Sequence, residues 1–252
     1  QELLDKSLKG PEDVRKALSA PVLGVLPKDP SPLRLGRGAQ TEVEERLRAT
    51  RTNVLHALSH GARQVVVVTS AGPRAGASTT AAGLARVLAL SGHRVVLVGG
   101  DLRSPSAVGA PGAPGLAEVL VGTARLSQVL VEGEVPGLEL LPAGDMPGNP
   151  SELLGGRNMS DLLHHLAADR IVIIDAPPVC RFTDAVVLAE YAGGVLLVAR
   201  AGRTSAEELR EAALAVGQGG GHMLGVVLTN VSDLGRGSRS AQTAVTHAES
   251  AT

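Results

Sequence analysis

The stretch QVVVVTSAGPRAGASTT, residues 64–80, decides how the rest of the chain is read. Val65 to Val68, followed by Thr69, form a β-branched run with the character of a buried strand. A loop of Gly, Ala and Pro follows, and AAGLARVLALSG (81–92) then repeats apolar residues at helical spacing. Strand, small-residue loop and helix in that order build a phosphate-binding loop, because turn N–H groups and the positive helix end face an anion. The spacing of such a loop is G-x-x-x-x-G-K-[ST]. This chain has the frame as Ala71-Gly-Pro-Arg-Ala-Gly76-Ala77-Ser78, with Ala77 where the lysine belongs.

Composition bounds what surrounds that loop. With 44% hydrophobic and 19% charged residues in 252, the chain is globular and long enough to bury a core. Phe182 and Tyr191 are its only aromatics, so the core is aliphatic and base stacking has almost nothing to use. A formal net charge of -1 argues against a nucleic-acid partner. The single Cys180 excludes an internal disulfide framework and a cysteine zinc site, which fits a cytosolic setting. No apolar run reaches the roughly 18–20 residues of a membrane span. The sequence begins at Gln1 in mid-pattern, as a piece of a longer protein would.

Read in order, residues 1–20 predict two short helices about a Gly10-Pro11 turn, and 21–27 a short strand bounded by prolines. Residues 28–41 read as a Pro/Gly-rich loop and 41–58 as a helix with Glu45, Arg48 and Arg51 on one side. Buried strands follow at 94–99 and 171–175, each ending beside a carboxylate, Asp101 and Asp175. Helical stretches are expected at 116–121 and 125–132, a strand at 138–141, and a helix from Glu152 capped by Ser151. A helix over 184–190, a strand over 194–199, a helix over 205–216 and a strand over 224–228 complete the pattern. Apolar strands alternating with helices imply an α/β fold, a parallel sheet with helices on both faces. The expected division is a helical N-terminal arm (1–58), an α/β core (59–231) and a disordered tail (232–252). Cys180 reads as a small buried residue, and His164 and His165 as surface histidines.

Ligands bind at the carboxyl edge of such a sheet. Phosphoryl transfer there uses a phosphate cradle, a Ser or Thr hydroxyl on magnesium, and a carboxylate beyond an apolar strand. Ser78 and Asp175 stand where the two metal-linked parts belong, with Asp101 as a second acid.

These residues resemble the cytoplasmic domain of bacterial protein-tyrosine kinases (BY-kinases), partners of capsule and exopolysaccharide chain-length regulators with a P-loop NTPase fold of the Min/Par type. The similarity covers roughly residues 1–231. Glu45-x-x-Arg48-x-x-Arg51 resembles the family's subunit-contact motif. Gly99-Gly-Asp101-Leu-Arg103 resembles its D-x-D-x-R motif, and Asp175-Ala-Pro-Pro178 its D-x-x-P motif. The stretches 141–154 and Thr183-Asp184-Ala185 are similar to family sequences as well. The resemblance implies ATP or ADP with magnesium as cofactors, held by Gly72, Arg74, Gly76, Ala77, Ser78, Thr79 and Asn230. Ser78, Asp101 and Asp175 would sit at the metal, with the two aspartates catalytic. It also implies a homo-oligomer contacting through Glu45, Arg48 and Arg51, and a membrane-embedded chain-length regulator segment in cis or in trans. The implied location is the cytoplasmic face of the plasma membrane.

The departures from that pattern fall at chemical positions. The P-loop lysine is Ala77, the first acid is Gly99, a loop glycine is Arg74, and the tail beyond Val231 lacks the family's tyrosine cluster. Losing one preorganised donor to the phosphates costs about 2.7–4 kcal/mol in the transition state, on the order of 10²–10³ in rate. The leading expectation is therefore a pseudokinase, inactive or weak, that acts as an oligomerising scaffold in polysaccharide biosynthesis. The alternative is an active, divergent tyrosine kinase or ATPase using Arg74 and Asp101. A third, a Min/Par-like ATPase acting on DNA or membrane, is disfavoured by the near-neutral charge. Nucleotide binding is separate from turnover, because the backbone nest, Ser78, Thr79 and both aspartates remain.

Overall fold

Val65, Val66, Val67 and Val68 are all buried, so their strand is covered on both faces and needs no alternation. The computed structural model describes residues 6–28, 42–58, 63–104, 108–110 and 112–232. Along the chain these form α1 (Pro11–Ala17), β1 (Val22–Pro27), α2 (Glu42–Leu58), β2 (Val65–Ser70), α3 (Ala77–Leu90) and β3 (Val95–Gly99). Then come α4 (Leu116–Val121), α5 (Leu126–Val129), β4 (Val131–Glu132), β5 (Leu138–Leu141), α6 (Pro150–Leu154) and α7 (Arg157–Ala167). The last elements are β6 (Ile171–Asp175), α8 (Asp184–Tyr191), β7 (Gly194–Arg200), α9 (Ala206–Gln218) and β8 (Met223–Val231).

The strands make one sheet in the order β1-β8-β7-β2-β6-β3-β5-β4. Every pairing is parallel except β4 with β5. Side chains alternate between two cores. Val66, Val68, Ile173 and Leu97 face α2 and α3, whereas Val65, Val67, Val172, Ile174 and Val98 face the side covered by α7, α8 and α9. The α/β parallel sheet with helices on both faces is thus as expected.

Several details differ. Residues 125–132 are not one helix: α5 stops at Val129, and Val131 and Glu132 pair antiparallel with Leu140 and Glu139. The partner strand, invisible to local pattern, decides this. No helix precedes Gly10 among the described residues. Ser7 bridges Ser205, and Leu8, 1% exposed, plugs the core with its N–H on the Thr204 carbonyl at 2.8 Å. Residues 22–27, within the segment expected as a helical arm, are the edge strand of the same sheet and, among the described residues, pair only with β8. Pro27 is tolerated there because an edge leaves its missing donor unneeded. The expected loop at 28–41 falls almost wholly outside the described residues, and so does the tail beyond 232.

Candidate functional site

Register places the chemistry. In β6, Asp175 stands opposite Val68 of β2 on one side and Gly99 of β3 on the other. The carboxyl ends of three adjacent parallel strands therefore carry the loop, the glycine and the buried acid together. The Ala176 N–H donates to the Val68 carbonyl at 3.0 Å, Val179 N–H to Ser70 at 2.9 Å and Gly100 N–H to Asp175 at 2.8 Å. Thr69 Oγ1 donates to the Pro177 carbonyl at 2.6 Å. These bonds fasten the loops after β2 and β6 to one another.

The loop turns into α3 at Gly76, whose φ of 94° is left-handed and suits glycine. The helix starts at Ala77, four residues ahead of the periodic run at 81, so Ser78 and Thr79 lie in its first turn with their N–H groups at the positive end. Thr80 closes that turn on the Gly76 carbonyl through its N–H (2.9 Å) and its Oγ1 (2.8 Å). Gly72 is half-buried, and its carbonyl accepts Ser70 Oγ at 2.8 Å. Arg74 adopts a φ of 58°, the left-handed backbone that explains why glycine suits this position, and its side chain is exposed. Its carbonyl is pinned by Arg200 Nη1 at 3.0 Å. Arg200 Nη2 also reaches Asn230 Oδ1 at 3.4 Å, which ties the last strand to the loop. Beneath the turn, Thr229 Oγ1 donates to the Ala75 carbonyl at 2.6 Å. Neither Arg200 nor Thr229 stands out in the sequence, since both act across more than a hundred residues.

Asp175 is 2% exposed, and burial pushes its carboxyl up to about 7, against a hydrogen bond from Ser78 that favours the ionised form; the Asp101 charge raises it further. Asp101 is half-buried and its carboxyl is also raised, first by burial, while the Arg103 and Ser104 N–H groups pull it down. Asp175 takes a hydrogen bond from Ser78 and feels the charge of Asp101, and two carboxylates and a serine hydroxyl are oxygen donors of the kind magnesium takes while keeping several waters. The fit to a nucleotide's phosphates is partial: the nest is formed, but Ala77 puts a methyl where an ammonium would stand.

At Gly99 a side chain has no room. A Cβ there would meet the Ala143 backbone nitrogen at 2.8 Å and its Cα and Cβ at 3.3 Å. Ala143 is itself held from behind, since Leu116 N–H donates to Pro142 at 2.7 Å and Ala117 N–H to Ala143 at 3.0 Å. Glu118 fastens the same loop, its carboxylate accepting Gly115 N–H at 2.6 Å and Asp145 N–H at 3.0 Å.

Glu45, Arg48 and Arg51 lie on α2, which packs against α3 and β1. Arg48 bonds Glu44 at 2.7 Å and Glu45 at 3.1 Å, and Arg51 reaches the Val87 carbonyl at 3.2 Å. Ser151 does not cap its helix; Asn149 holds that position, and the Ser151 hydroxyl turns to Asp184. Cys180 is exposed rather than buried, with its thiol pushed up by residual burial and two nearby glutamates. His164 and His165 are exposed.

No family model matches the chain. It is similar to the tyrosine-protein kinase YwqD of Bacillus subtilis, 35% identical over 188 residues, covering 73% of this chain and 79% of that protein. The tyrosine-protein kinase Ptk of Acinetobacter johnsonii is 29% identical over 249 residues, 92% of this chain but 34% of Ptk. The chain thus spans about a third of that longer relative. Among solved structures, the kinase domain of the Escherichia coli tyrosine kinase ETK superposes with a TM-score of 0.82 at 27% identity, covering 90% of this chain and 96% of that one. As fold alone, the cell-division ATPase MinD of Pyrococcus furiosus matches with a TM-score of 0.57 at 21% identity, over 72% of this chain and 78% of that one. Among the described residues no helix is long and apolar enough to cross a membrane.

Proposed function

Because the chain belongs to the bacterial tyrosine-protein kinase family, we propose that it is a catalytically impaired member whose folded scaffold, rather than phosphoryl transfer, is its function. The observation that carries this reading is the pairing of Ala77 with a Gly99 that cannot be refilled without shifting a neighbouring backbone. The first removes the ammonium from the phosphate cradle, and the second has the Ala143 nitrogen 2.8 Å from where a Cβ would begin. An isolated P-loop substitution reverts by one residue, whereas closure of the second acidic position involves the backbone of a neighbouring loop.

Magnesium and ATP or ADP, when bound, would supply a polarised phosphoryl group at the carboxyl edge. Ser78, Asp101 and Asp175 would hold the metal, and the backbone from Gly72 to Thr79 would cradle the phosphates. Asn230 and Arg200 line an open cleft of about 720 Å³, and in this reading that cleft would take the rest of a nucleotide.

The scaffold role uses α2. Glu45 lies exposed at its start, and in this reading Glu45, Arg48 and Arg51 contact a second copy of the chain. Relatives occur as a short chain matched over most of its length and as a long one matched over a third. That pattern supports a membrane-embedded chain-length regulator segment joined either in trans or in cis, at the cytoplasmic face of the membrane. Regulation of capsule or exopolysaccharide chain length is the role that follows from the family resemblance.

Phosphate release from ATP, with and without magnesium, tests the reading on wild type and Arg74→Ala. No release above background is expected from either. Magnesium-dependent turnover that disappears in Arg74→Ala would replace this reading with that of an active, divergent kinase using Arg74 and Asp101.

A further inference from the structure

The loop after β3 carries Asp101 on irregular backbone, so something outside the sheet must fix that carboxylate. Asp101 Oδ1 accepts the N–H of Arg103 at 3.1 Å. The side chain of the same arginine is gripped elsewhere. Its Nε donates to Asp184 Oδ2 at 2.7 Å and its Nη2 to Asp184 Oδ1 at 3.0 Å, a two-point fork on a carboxylate that is 0% exposed. Arg103 Nη2 also reaches Ser151 Oγ at 3.0 Å, Ser151 Oγ itself bonds Asp184, and Thr183 Oγ1 donates to Ser151 at 3.1 Å. The guanidinium lies 4.6 Å from the centre of the Phe182 ring.

We propose that Arg103 and Asp184 are positioning residues for Asp101: the clasp immobilises the residue whose N–H orients the Asp101 carboxylate beside Asp175. This rests on reading Asp101 as an acid of the phosphate site. An ion pair with one member buried, here Asp184 at 0% against an Arg103 side chain 30% exposed, is a weak way to stabilise a fold, since apolar side chains of similar volume do as well. It is a strong way to fix one atom, because the planar fork allows the arginine one orientation. The spacing Asp-x-Arg then has a mechanical reason. The acid and the backbone donor that aims it are two residues apart, and the donor's side chain is anchored to a different element, the start of α8.

Amide hydrogen exchange followed by NMR on the full chain, without nucleotide, tests this in wild type and Asp184→Asn. The Arg103 amide is expected to exchange several-fold to about tenfold faster in the variant, the factor an ordinary hydrogen bond represents. Core amides such as Val67 and Ile173 would keep their wild-type rates relative to one another. A purely structural pair would instead speed core amides and leave Arg103 unchanged relative to them, and that result overturns the proposal. Should Asp184→Asn fail to fold, Ser151→Ala removes one contact of the clasp. A smaller acceleration at Arg103 then supports the proposal, and an unchanged rate refutes it. The readout needs no nucleotide, so it stands or falls separately from the reading of the chain as an impaired kinase.

Discussion

Placing even a methyl at position 99 should destabilise the whole domain. Gly99 ends β3, buried, in register with Asp175, and a Cβ would approach the Ala143 nitrogen to 2.8 Å. That atom cannot retreat cheaply, because the Pro142 and Ala143 carbonyls accept the Leu116 and Ala117 N–H groups at 2.7 and 3.0 Å. Overpacking of this kind costs about 1–3 kcal/mol. In a chain of this size each kcal/mol lowers Tm by about 2–4 °C, so Gly99→Ala should melt roughly 2–12 °C below wild type. Gly99→Asp should fall further, since it adds a carboxylate beside the already raised pair of Asp101 and Asp175. The chain has no tryptophan and one tyrosine, so far-UV circular dichroism is the suitable probe. A Gly99→Ala variant as stable as wild type would refute the steric argument and leave the missing acid as a simple, reversible substitution.

The buried Asp175 should make stability depend on pH. Its folded carboxyl titrates near 7 against an ordinary 3.8, so the folded state holds a proton that the unfolded state has lost, and stability falls as pH rises from about 4 to 7. Between pH 5 and 8 wild type should lose about 2–3 kcal/mol that Asp175→Asn retains, read by urea unfolding; equal slopes would contradict it. Gly76→Ala forces an L-residue to φ 94° and should lower the urea midpoint by an amount equivalent to about 1–3 kcal/mol, with Thr229 3.5 Å away adding little. Glu45→Lys should reduce the mass seen by light scattering while changing stability by no more than about 0.5 kcal/mol, as for an exposed position; unchanged mass would remove Glu45 from the subunit contact.

The sheet was legible because its signals are local. Runs such as 65–68, 95–98 and 171–174 announce strands buried on both faces, and turn chemistry at Gly76 announces the helix that follows. The acids at strand ends were legible for the same reason, since a parallel sheet brings its carboxyl ends to one edge. What local pattern could not supply were contacts made at a distance. Val131 and Glu132 are exposed and become strand only by pairing with β5. Ser151 looks like a cap until Asp184, 33 residues on, takes its hydroxyl. Gly99 looks like a lost acid, and only the Ala143 backbone shows that the space has gone with it. Arg200 carries no local signal, yet it holds the Arg74 carbonyl from 126 residues away.

Calorimetric titration of ATP and ADP, with and without magnesium, into wild type and Ala77→Lys tests the central claim most directly. A loop that is formed but lacks its lysine predicts no measurable heat from wild type and magnesium-dependent binding by Ala77→Lys. Micromolar binding by wild type that the lysine leaves unimproved would contradict the account, and would make nucleotide a working ligand of this chain.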